Sequence, residues 1–257
     1  MNLRIQWIAL QTLVYKEVSR FLRIWGQTLV PPLINQSLYF IIFGGFIGSQ
    51  IGEIQGVSYM SFILPGLVMM AVINSSFSNV VSSFFGSKFQ HNIEEMIVSP
   101  MSKEVMLMGY SLGGVLRGVM VGLLIFIVAF FFIDVRVDHP FYVLAFLLLT
   151  AILFALAGFL NGLFAKKFDD ISIFQMFILT PLTYFGGVFY SIDSLPAFFQ
   201  MLSKFNPILY MVNGFRYGFF GFSDVNVGFS LIFLVGSCLL LGFLNWELLR
   251  RGYGLKN

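Results

Sequence analysis

Histidine and cysteine are nearly missing: two His, His91 and His139, and one Cys, Cys238, occur in 257 residues. No grouping of Cys, His and carboxylates has metal-ligand spacing, so metal-assisted catalysis is not expected. A lone Cys inside an apolar run forms no intrachain disulfide and reads as a small buried hydrophobe. The chain also lacks a G-x-x-x-x-G-K-[ST] phosphate loop, so no nucleotide-hydrolysing module is expected on it. Charge is scarce. Asp, Glu, Lys and Arg make up 11% of the residues and hydrophobic types 58%, against about 25% charged in an ordinary soluble domain.

That balance describes a chain whose solvent is lipid. A bilayer core about 30 Å thick needs about 20 apolar residues per helix. Runs poor in charge occupy residues 25–47, 59–84, 105–133, 141–165, 171–190 and 227–249. They are continuous rather than alternating, which excludes a barrel. The expected fold is an all-α polytopic membrane protein with six transmembrane helices. Residues 191–222 are also fairly apolar but hold Lys204 and Arg216; Asn206-Pro207 reads as a helix cap with Pro at the first helical position, and Gly221 as a stop. Two short helices in that stretch are expected to enter the outer leaflet and return as a re-entrant pair, because a seventh span would place Arg250 and Arg251 outside.

Residues 1–24 carry a different pattern. Leu3, Trp7, Leu10, Val14, Val18 and Phe21 recur at helical spacing, with Lys16, Ser19, Arg20 and Arg23 opposite, as in an amphipathic helix lying in the interface. The intermixed Arg4, Gln6, Gln11, Lys16 and Glu17 make a cleavable signal peptide unexpected. With both termini in the cytoplasm, Arg4, Lys16, Arg20, Arg23, Lys88, Lys103, Lys166, Lys167, Arg250, Arg251 and Lys256 fall inside and only Arg136, Lys204 and Arg216 outside, as the positive-inside rule asks. The basic residues form no stripe, so no nucleic-acid partner is expected.

Within the runs, three features stand out. Gly114, Gly118 and Gly122 put a smooth strip on one helix face, suited to close helix packing within one chain or between two. Arg117 either snorkels from the inner boundary or faces a substrate path; the sequence leaves both open. Glu247 beside Arg250 and Arg251 reads as an interfacial ion pair. No carboxylate lies near mid-depth, where an ion-coupled transporter keeps one. A transporter of this composition would draw its energy from another protein, docked on the cytoplasmic face. The best docking candidate is KFQHNIEEMIVSPMSKE, residues 88–104, with Asn92 and Glu95 spaced as a capping-box-like pair and Ser99-Pro100 as a stop. In KKFDD, residues 166–170, Asp169 or Asp170 is expected to cap the fifth span.

Several blocks in order resemble one family: RFLRIWGQTLVPPLINQSLYFIIFGG from Arg20, ILPGLVMM from Ile63, SSFFGSKFQHNIEEMIVSP from Ser82, FAKKFDDIS from Phe164, LTPLTYFGGVFYS from Leu179 and NPILYMVNGFRYG from Asn206. Nearly end to end, the chain resembles the ABC-2 type transporter permeases in their short bacterial inner-membrane form. The resemblance implies an exporter of two such subunits and two cytosolic ABC ATPase subunits, which hold the ATP and Mg; no cofactor is implied on this chain. It places Phe89, Asn92, Glu94, Glu95 and Met96 at the ATPase-coupling contact. It puts Asn206, Pro207, Tyr210 and Arg216 in re-entrant helices capping the outer end. It makes Gln27, Asn35, Gln36, Tyr39, Tyr184 and Phe189 candidates to line the pathway, beside a dimer seam of the first and fifth spans. No catalytic residue is implied, and no residue selects the substrate. Two other classes remain: a membrane scaffold that moves nothing, and a passive channel, for which no charged ring or carbonyl filter is visible.

Overall fold

A computed structural model describes residues 3–133 and 137–255, so Arg136 and Lys256 lie outside the described residues. The architecture is all-α. Among the described residues, five helices are long and apolar enough to cross a membrane: Trp25–Ile51, Tyr59–Phe89, Lys103–Ala129, Pro140–Phe164 and Val227–Arg250. The first is a composite of α2 (Trp25–Thr28), α3 (Val30–Tyr39), a π-helical stretch (Phe40–Ile47) and α4 (Gly48–Ile51). The others are α5 (Tyr59–Phe89), α7 (Lys103–Ala129), α8 (Pro140–Phe164) and α13 (Val227–Arg250). Residues 168–184 form a shorter helical run, α9 (Phe168–Phe174), a π turn (Gln175–Leu179) and α10 (Thr180–Tyr184). It ends six residues before the predicted limit at Tyr190, because the chain unwinds through Gly186 and Gly187, the latter at φ 71°. A short hairpin, Glu53–Ile54 against Val57–Ser58, joins the first composite to α5.

α5 is the central helix: 78% of its apolar window is buried, against 11% for the first composite and for α13. It lies against both α7 and α8, and glycines set the spacing. A methyl group on Gly114 or Gly122 would collide with Val80 or Val72 of α5, and one on Gly118 with Ser76. The predicted glycine strip therefore packs helices within one chain.

The opposite flank of α7 carries a second pair, Gly109 and Gly113, into which Leu13 and Glu17 of α1 (Leu3–Arg23) insert. Leu13, Glu17 and Phe21 are buried, whereas Leu3 and Trp7 are exposed. Periodicity locates the apolar stripe but does not say that a glycine notch elsewhere accepts the neighbouring stripe.

α6 (Asn92–Val98) follows α5 after one turn. His91 in the left-handed region (φ 62°) precedes it without capping, so the expected Asn92–Glu95 cap does not form. Asn92 is the first helical residue and instead donates to Gln90 Oε1 at 3.4 Å. Ser99 ends the helix as expected. Asp170 does cap the next helical run, accepting from the amides of Lys166 (2.8 Å) and Lys167 (3.0 Å).

The stretch after α10 holds α11 (Ala197–Lys204) and α12 (Pro207–Phe220). Asn206 caps α12 by accepting from Ile208 N at 3.0 Å, and Gly221 ends it at φ 71°. α12 runs beside the first part of α8: Gly214 meets Phe146 and Gly218 meets Val143. The amides of Asp138 and His139 donate to Phe219 O and Gly218 O. α1, α6 and the C-terminal end of α13 thus gather at one end of the bundle, with α11 and α12 at the other.

Candidate functional site

At the α1 end, an apolar groove of about 400 Å³ separates α1 from α6, with Ile8, Thr12 and Lys16 on one wall and Glu95, Met96 and Pro100 on the other. Gln6 closes one end with two hydrogen bonds, donating to Pro100 O (2.6 Å) and accepting from Ser102 N (2.8 Å). One side chain thereby ties α1 to the segment that joins α6 to α7. Glu94 and Glu95 stay exposed, Glu94 paired with His91 at 3.0 Å, and Phe89, Ile97 and Val98 add exposed apolar surface. Ile93 is the buried anchor of α6, and Met96 Sδ sits 3.6 Å from Tyr110 Oη, which donates to Ser87 Oγ at 2.9 Å. Phe89 and Phe85 pack edge-on against Phe168, each with ring centres 5.0 Å apart. α6 thus touches α7 through Met96, while the end of α5 touches the start of α9 through Phe85 and Phe89. Lys88 fixes the level of α8 by donating to Leu163 O and Ala165 O, carbonyls left open at that helix's C-terminus.

One turn deeper lies a polar network that the sequence did not disclose. Glu17 is fully buried; it pairs with Arg20 at 3.2 Å and accepts from Ser83 Oγ at 2.6 Å. Arg20 also donates to Asn79 Oδ1 at 2.8 Å. Its only linear signal is an acid placed four residues from both Leu13 and Phe21.

Next to it, a vestibule of about 370 Å³ opens between α3, α5, α7 and the π turn at Gln175. Gln27, Asn35, Gln36 and Tyr39, four of the predicted pathway residues, line it, joined by Asn74, Ser75 and Ser78, which the sequence had not assigned there, and by Arg117, for which it had left a substrate path open. Its geometry follows from proline. In an α-helix the carbonyl of Thr28 would accept from the amide of residue 32, but Pro32 has none. The helix breaks at Leu29, and Arg117 donates to the freed Thr28 O at 3.1 Å. Arg117 faces the vestibule rather than lipid. Above it, Tyr39 and Tyr184 approach hydroxyl to hydroxyl at 3.3 Å, and Phe189 packs on Tyr39, Phe43 and Tyr184. The structure thus brings Tyr39, Tyr184 and Phe189 into one aromatic cluster over the polar vestibule. Both helical runs that meet there contain π turns, which recur at functional sites.

At the far end, Arg216 is fully buried. It donates to Gly187 O at 2.7 Å, lies 3.9 Å over the Phe62 ring and faces Asp224 at 3.9 Å. Asp224, absent from the sequence reading, accepts from Ser191 Oγ (3.0 Å) and Ile192 N (3.2 Å). Asn206 donates to Leu182 O at 2.6 Å, with Pro207 beginning the helix, and Tyr210 packs on Phe229 and Phe233 of α13. These four predicted outer residues share α12 and its cap, where they bind α12 to α10, α13 and the 185–192 turn. No group of three or more His, Cys, Asp or Glu among the described residues is placed to hold a metal.

A bundle of apolar helices, several of them long enough to cross a bilayer, with a polar vestibule between them defines a polytopic membrane protein. The family model for ABC-2 type transporters matches residues 8–220, and the chain belongs to that family. It is 52% identical to the inner membrane transport permease YadH of Escherichia coli (strain K12), over 99% of this chain and 100% of that one. It is also 23% identical to nodulation protein J of Rhizobium leguminosarum bv. viciae over 76% of each chain, and 24% identical to nodulation protein J of Rhizobium meliloti (strain 1021) over 95% of this chain and 93% of that one.

Proposed function

We propose that this chain is the transmembrane permease subunit of an ABC exporter in a bacterial inner membrane, powered by a separate cytosolic ATPase and working as a homodimer. The family match over residues 8–220 carries the reading, and the full-length similarity to a protein named as an inner membrane transport permease supports the location. Residues 168–184 serve as a further span beside the five longer helices, giving six: the run rises about 25 Å, close to a hydrocarbon core of about 30 Å. α11 and α12 form the re-entrant pair, since at 8 and 14 residues neither is long enough to span and α12 lies beside the first part of α8. Both termini face the cytoplasm, which puts the α1–α6 groove there and α12 outside.

In this reading ATP and Mg bind the ATPase, and this chain performs no covalent chemistry. Phe89, Asn92, Glu94, Glu95 and Met96 meet the ATPase at the clamped groove. Closure of the ATPase dimer displaces α6, and the Met96–Tyr110–Ser87 chain and the Phe89–Phe168 contact transmit that displacement to three spans. Nucleotide does work here through its different affinity for the two states. The vestibule and the Tyr39–Tyr184–Phe189 cluster form the lower part of the route, and Asn206, Pro207, Tyr210 and Arg216 hold its outer cover.

The test is charge reversal at the groove. Glu94→Lys with Glu95→Lys changes exposed side chains, so insertion and yield should match wild type while co-purifying ATPase falls several-fold. Unchanged stoichiometry and transport would remove these residues from the contact.

A further inference from the structure

The vestibule beneath the aromatic cluster has one formal charge in its lining, Arg117, and no carboxylate. Glu17, buried against the same helix at Gly113, is already committed to Arg20. Arg117 spends one N–H on Thr28 O, while its Nε is buried without a partner. It sits four residues beyond Gly113, where Glu17 packs, so it lies about 6 Å deeper along α7. A guanidinium at that depth with unused donors and no counter-charge favours an anion, and a phosphate oxygen suits its planar fork.

A second observation sets the rest of the ligand. Gln36 is 5% exposed, lines the same cavity, and its Oε1 has no partner. An amide oxygen does not satisfy an anion; it asks for a donor such as a hydroxyl. Asn35 offers a further amide, and Asn74, whose Nδ2 already donates to Met70 O at 2.8 Å, offers an amide oxygen from the facing helix. About 370 Å³ is the lower end of the ligand-pocket range of roughly 300–1,000 Å³, enough for a compact head group. Gln27, Pro31 and Asn35 are exposed, so the vestibule opens sideways and an acyl chain can stay outside.

We propose that this vestibule binds the head group of a phosphate-bearing, hydroxylated amphiphile, with Arg117 on the phosphate and Gln36 accepting from a head-group hydroxyl. The proposal rests on the transporter reading and names the chemical class of its substrate.

The test uses the intact permease in phosphatidylcholine nanodiscs, with binding followed by intrinsic Trp fluorescence. The probes are lysophosphatidylinositol (phosphate and hydroxyls), dodecyl phosphate (phosphate alone), dodecyl maltoside (hydroxyls alone) and inorganic phosphate. Lysophosphatidylinositol should bind at least tenfold more tightly than dodecyl maltoside. Arg117→Gln should erase that difference, and Arg117→Lys should keep affinity within about threefold. Gln36→Leu should weaken lysophosphatidylinositol but not dodecyl phosphate, which keeps the idea testable should Arg117→Gln fail to fold. Equal binding of lysophosphatidylinositol and dodecyl maltoside, unchanged binding by folded Arg117→Gln, or inorganic phosphate binding as tightly as the amphiphiles would each overturn it. Repeating the titration in discs containing phosphatidylglycerol separates the sources: competition shows that the bilayer's own phosphodiester lipid fits, and its absence shows a dedicated substrate, either one consistent with the chemistry. No ATPase is present, so failure here leaves the coupling reading untouched, and failure of ATPase co-purification leaves this binding result standing.

Discussion

Replacing Glu17 with Ala should free α1 from the bundle. The carboxylate is fully buried, pairs with Arg20 at 3.2 Å and accepts from Ser83 at 2.6 Å, while its methylenes fill the notch at Gly113. Removing one partner of a buried ion pair costs about 3–5 kcal/mol. Arg20 is 30% exposed and keeps Asn79 Oδ1 at 2.8 Å, so part of its charge stays solvated or bonded. A local cost of about 2–3 kcal/mol follows. If α1 opens as a unit, its amides should exchange about 30- to 150-fold faster, read by hydrogen–deuterium exchange on the permease in nanodiscs with α13 peptides as the internal control. Glu17→Gln should fall between, because the amide oxygen still accepts from Ser83. Exchange of α1 in Glu17→Ala within threefold of wild type would refute the idea that this carboxylate staples the helix.

Gly118→Val should block folding, since a side chain there meets Ser76 and the Val72 carbonyl, whereas Gly26→Ala, with open space around it, should leave the monodisperse yield unchanged. Asp224→Ala leaves Arg216 buried without its acid and removes the acceptor for Ser191 and Ile192; a loss of about 3–5 kcal/mol is expected, measured as a lower midpoint of thermal unfolding in detergent. Tyr39→Phe removes one 3.3 Å hydroxyl contact and should cost no more than about 1 kcal/mol, so a larger drop in unfolding midpoint would show that the cluster depends on that bond rather than on ring packing.

The long helices were legible because hydrophobic runs depend only on neighbours in the chain. Local stops were legible for the same reason: Asn206-Pro207, Gly221 and Ser99 act where they were read. The polar architecture was not. Gln6 meets Pro100, Glu17 meets Ser83, Arg117 meets Thr28 and Asp224 meets Ser191 across separations of 94, 66, 89 and 33 residues. No spacing rule reaches that far. The Pro31-Pro32 pair was present in the sequence as a carbonyl-freeing device, but nothing in it names Arg117 as the donor that answers. The face of α1 that packs on the bundle has the same origin, because the notch that receives Leu13 and Glu17 is built by Gly109 and Gly113 almost a hundred residues downstream.

In the proposed division of labour the permease provides a route and a separate ATPase provides the work. The direct measurement is flux of a labelled phosphate-bearing amphiphile in proteoliposomes containing the permease, with and without the ATPase and ATP. Accumulation only when both ATPase and ATP are supplied is the expected result; uphill movement by the permease alone would contradict it.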